Sequence, residues 1–171
     1  MEAEKRSLET ILSDHNSWAW TNGRKGVRAV LTGDALQEGG EILTRNAFIL
    51  DGADLTGIRL DMDKFFGAVL PTSEAKFVGA TLIGKLTYTG LDHCDIANAD
   101  LTQGRQANLH RAKNIHKAHF IERDFNGTAS ELLHRVSAAL DKHYVSKPQR
   151  ALVYASYLAR HAKKKVLALV S

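Results

Sequence analysis

The 171 residues suffice for one domain with a proper core and are too few for two independent globular domains. With 44% hydrophobic and 25% charged residues the composition is that of a folded chain. No apolar run approaches the ~18 residues of a membrane span, and the single cysteine, Cys94, excludes an internal disulfide and any cysteine-paired metal site. These features, with a polar stretch from Met1 to Ser17, make the cytoplasm the expected location and exclude the membrane as a partner. The net charge of +4 is unevenly spread: +1 over residues 1–30, −3 over 31–127 and +6 over 128–171.

In chain order, residues 1–28 read as an N-terminal helix and cap. Leu8, Ile11 and Leu12 share one face at spacings of three and four, predicting a short helix over residues 3–14. Trp18 and Trp20 follow, then a turn-rich connection with Gly23 and Gly26, and the two rings are expected to cap the first layer of what comes next.

From residue 29 to 127 a leucine or phenylalanine returns about every fifth residue, with a small residue two places before it, as in Ala53-Asp54-Leu55-Thr56-Gly57 and Ala99-Asp100-Leu101-Thr102-Gln103. In extended backbone those two side chains point the same way, leaving the other three residues to turn the chain. Four such sides per coil arrange the large residues in columns. One column is Leu31, Leu50, Leu70, Leu91 and Leu109, and the second Leu36, Leu55, Phe77, Ile96 and Ile115. The third is Ile42, Leu60, Leu82, Leu101 and Phe120, and the last Asn46, Phe65, Leu86, Gln106 and Phe125. Small residues such as Ala29, Ala53, Ala75, Ala80, Cys94, Ala99, Ala107 and Ala118 fill the paired inward places, whereas Asp63, Lys113 and Arg123 break that rule. The rhythm slips near Gly39-Gly40, Pro71, Tyr88 and Gln106, where irregular corners are expected to project and carry specificity.

Residues 128–171 predict a helical hairpin. Thr128-Ala129-Ser130-Glu131 has the form of a capping box ahead of a helix to about His143, and Ser146-Lys147-Pro148-Gln149 signals a second start. Leu152, Ala155, Leu158 or Ala159, Ala162, Val166 and Leu169 form the expected apolar stripe of the second helix, whose surplus apolar surface makes homodimerisation an expectation.

The five-residue motif resembles that of the pentapeptide-repeat proteins: a small residue, Asn or Asp, Leu or Phe, a polar residue, then Gly. The resemblance covers residues 29–127 and implies a mainly β fold, a right-handed quadrilateral β-helix (solenoid) of about five coils with helical ends. It also implies, as one reading, an action on a DNA-handling enzyme, since quinolone-resistance proteins of that family act on DNA gyrase by imitating duplex DNA.

The residues themselves offer no convergent chemistry. His93, His110, His116 and His119 fall at outward repeat positions, no metal-ligand or nucleophile motif appears, and Asp95 and Asp100 occupy the turn-supporting place of the repeat. The chain is therefore expected to be a non-enzyme without cofactors or metals. Its expected role is protein binding, as a scaffold or inhibitor. Its candidate interaction residues are Pro71, Tyr88, Arg160, Lys163, Lys164 and Lys165. A DNA-mimic action on a topoisomerase or nuclease complex, and nucleic-acid contact through the basic C-terminal helices, are the alternatives.

Overall fold

A computed structural model describes residues 6–38, 49–64, 71–91 and 93–170. The first element is helix α1 (Leu8–Trp20), which begins later and runs further than its sequence signal. Ser7 sets the start by accepting a hydrogen bond from the Thr10 N–H, and burial of Leu12 and His15 carries the helix past residue 14. Both tryptophans thus lie inside the helix. Trp18 stacks on His15 at 5.3 Å and packs over Gly52, but Trp20 is 76% exposed, so one ring rather than two closes this end.

Beyond the four-residue helix α2 (Ala35–Glu38), the described residues of the repeat region form three short parallel strands: β1 (Arg59–Asp61), β2 (Thr81–Lys85) and β3 (Gly104–Arg105). They make one open sheet in the order β1-β2-β3, with Leu60 beside Leu82 and Gly84 beside Gly104. The expectation of a mainly β quadrilateral solenoid of about five coils is therefore corrected. Among the described residues, strands of three, five and two residues are outweighed by α-helices of 13, 4, 12 and 24, and the sheet does not close on itself.

The physical reason lies in the five-residue period, which is too short for regular strand. Two places after many of the inward residues the backbone turns left-handed, as at Gly57 (φ +68°), Gly79 (φ +65°) and Asn98 (φ +57°). Little more than one residue per side then remains to pair. Single parallel bridges result, and one row of them joins Val30, Asp54, Lys76, Asp95 and Lys113. At the corners the Asp side chains accept from the backbone two residues on: Asp54 from Thr56 N–H (3.2 Å), Asp95 from Ala97 N–H (3.0 Å) and Asp100 from Thr102 N–H (3.0 Å).

The core lies inside these stacked turns. Leu31, Leu50, Leu55, Leu60, Phe77, Leu82, Leu91, Ile96, Leu101, Leu109 and Phe120 are all buried, as are Ala29, Ala53, Ala75, Ala80, Cys94, Ala99, Ala107 and Ala118 beside them. Phe125 is half-buried and Gln106 exposed, while Phe65 and Leu70 lie outside the described residues, as does the Gly39-Gly40 corner.

Register departs from the expected columns in three places. Leu31 donates its N–H to Asp54 O, so it stacks on Leu55 rather than Leu50. Leu50 donates to Pro71 O, which seats buried Thr72 on Leu50, and the Thr72 hydroxyl is satisfied by Gly90 O at 2.8 Å. Lys113 bridges Asp95 and faces water, while Ala112 and Ile115 turn inward on either side of left-handed Asn114. Asp63 and Arg123 are likewise exposed, with Met62 and Ile121 buried in their stead, so the charged exceptions are absorbed by a slip of phase.

Helix α3 (Ala129–Leu140) opens with both halves of its capping box formed by Thr128 and Glu131. It buries Leu132, Val136, Ala139 and Leu140. Helix α4 (Lys147–Val170) follows a connection that itself extends the stacked turns: Tyr144 bridges Asn108, donating to Ala107 O and accepting from Leu109 N–H, both at 2.9 Å.

Candidate functional site

The last turn of the repeat would end in unpaired backbone groups, an edge that invites further strands. The C-terminal segment satisfies them one by one. The Ala107 N–H donates to His143 Nδ1 (3.3 Å), Gln149 Nε2 donates to Ala112 O (3.2 Å), and Phe120 N–H donates to the Tyr157 hydroxyl (2.7 Å). At the other end the Ala29 N–H donates to His15 Nδ1 at 3.1 Å. Each histidine must be neutral at that nitrogen to accept. Burial holds both pKa values down, that of His143 at about 4.

Docked in this way, α4 divides the basic run by helical geometry. Val153 and Tyr157 face inward, and Arg160, His161 and Lys164 continue that side over the last turn of the repeat. The Arg160 guanidinium lies 4.3 Å from the centre of the Tyr157 ring and donates to His116 O (3.3 Å), while Lys164 Nζ reaches Phe125 O at 3.5 Å. Lys163 and Lys165 point away, one on each flank of the opposite face.

That opposite face is apolar. Leu152, Ala155, Ala159, Ala162 and Val166 recur at spacings of three and four, and every one of them is exposed, Leu152 by 56% and Val166 by 61%. The stripe identified from sequence is thus the free face, and the packing is carried by Val153 and Tyr157 on the other side of the helix. Nowhere does α4 carry an acidic residue, against six lysines and arginines.

No protein-family model, curated protein or solved structure matches the chain.

The corners expected to project behave differently from α4. Pro71 is half-buried, and its carbonyl accepts from the Leu50 N–H. Tyr88 ends a 3-10 turn, Leu86–Tyr88. His116 and His119 are half-buried, and His93 and His110 are exposed. Among the described residues no cluster of three or more metal-ligating side chains forms, and no helix is long and apolar enough to cross a membrane. Sequence reasoning missed His143, Tyr157 and Gln149 as closing groups. Their partners lie 36 or 37 residues away, and no local signal marks such contacts.

Proposed function

We propose that the protein is a non-catalytic binding module that engages an acidic protein surface through the free face of α4. The carrying observation is that α4 is apolar on two opposite faces and only one is covered. A helix of that kind is ordinarily buried all round, and exposed contiguous apolar surface marks an interaction site. The small residues Ala155, Ala159 and Ala162 allow close approach of a partner helix or ridge. Lys163 and Lys165 on the flanks favour a partner with carboxylates at its rim. A second copy of α4 would set these lysines against like charge. The resemblance of the five-residue motif to the pentapeptide-repeat proteins supports a binding rather than catalytic role. Imitation of duplex DNA fits less well, because the exposed helix is uniformly basic.

The test is affinity capture from the native host, reconstitution with the purified partner, and replacement of Ala159 by Glu. Binding is expected to weaken at least tenfold while the melting temperature stays within about 2 °C, since Ala159 touches water in the free protein. Unchanged binding by Ala159→Glu would overturn the reading. A micromolar homodimer that the same substitution dissolves would replace the acidic partner with a second copy.

A further inference from the structure

Between the last turns of the repeat and the inner side of α4 lies a cavity of about 150 Å³, far more than the ~10–15 Å³ one water requires. Its wall brings together Arg123 from the repeat and Arg160 and Lys164 from α4, with His119 and His161 beside them. The carboxylate in this wall, Glu122, is 3.6 Å from Arg135 on α3 and already partnered. Three permanent cations from two elements therefore share one concave space without a free counter-charge in the wall. Tyr157 and Leu132 fill the apolar floor, and Arg123 makes no ion pair among the described residues.

We propose that this cavity binds a phosphate group, held by Arg123, Arg160 and Lys164. Two guanidiniums supply planar paired donors and the lysine a point charge, the combination suited to a tetrahedral dianion rather than a single carboxylate. His161 adds a buried Nε2 that has no hydrogen-bond partner. His119 reports the local field: burial, Arg123 and Arg160 all lower its pKa, and only Asp100 opposes them. An anion seated among the two arginines would reverse that electrostatic contribution. The site is separate from the free face of α4, so either proposal can fail alone.

Inorganic phosphate, titrated into the full chain at low ionic strength and followed by calorimetry and by the His119 imidazole resonances, tests the assignment. Saturable one-to-one binding with a rise in the His119 pKa is expected. Arg123→Gln should weaken binding tenfold or more, and Arg160→Gln similarly. The double variant Lys163→Gln/Lys165→Gln, on the opposite face, should leave it within twofold. Competition separates the source of the phosphate: displacement by a nucleoside 5′-monophosphate alone supports a small phosphomonoester, and displacement by a short DNA duplex, lost in Arg123→Gln, supports a nucleic-acid backbone. Absence of saturable binding, or binding indifferent to Arg123→Gln, would overturn the proposal.

Discussion

His143 is the residue on which the closed end of the molecule turns. Its Nδ1 accepts from the Ala107 N–H, so protonation would set a donor against a donor inside a buried site. The folded-state pKa of about 4 lies below the ordinary 6.5, chiefly through burial and secondly through Lys142. The depressed value means that stability is complete above pH 6.5 and is lost as pH falls from about 6.5 to about 4. The shift corresponds to about 3 kcal/mol, and His15 adds to the loss with the same sign. Urea midpoints measured across this window should fall steeply with acid. In His143→Gln the fall should be distinctly shallower, because a carboxamide oxygen accepts the same hydrogen bond without titrating.

For the helices, the question is what each face of α4 contributes. The inner face is held by Val153, Tyr157 and Gln149, and the Tyr157 hydroxyl closes the Phe120 N–H inside a buried contact. Tyr157→Phe keeps the ring and orphans that N–H, so a loss of about 1–3 kcal/mol is expected by chemical denaturation. Sequence periodicity found α4 and its start correctly in outline. It did not decide which face packs, because both are apolar: Leu152-Ala155-Ala159-Ala162-Val166 is the longer stripe, and only contact with the last turn of the repeat selects the other. For α3, the local code sufficed. Thr128 and Glu131 cap each other through bonds that depend on nothing distant.

Across the whole molecule, the helical C-terminal quarter is the lid of the stacked turns rather than an appendage. Tyr144 adds a bridge, and five side chains of the lid meet backbone groups at the end of the repeat. Removing residues 141–171 should therefore expose an unpaired edge together with the apolar residues around Phe120. Loss of cooperative thermal unfolding and concentration-dependent growth in light scattering are expected. A truncated chain that remains monomeric and melts cooperatively would show that the lid is dispensable.

The sequence by itself determined most of the residues that go inside. The inward places of the repeat follow from the alternation of side chains in extended backbone, and for Leu55, Phe77, Leu82 and Ile96 that alternation needs only local geometry. It also determined the Asp-supported corners and the capping box of α3. Only the tertiary structure decided the register between turns, where Leu31 seats on Leu55 and Thr72 fills the place expected of Leu70, because register depends on how many residues each corner consumes. The same is true of the open, sparse sheet: a five-residue period spends most of its backbone on turning. It is true above all of α4, whose two apolar faces are equivalent in sequence until the end of the repeat covers one of them and leaves the other in water.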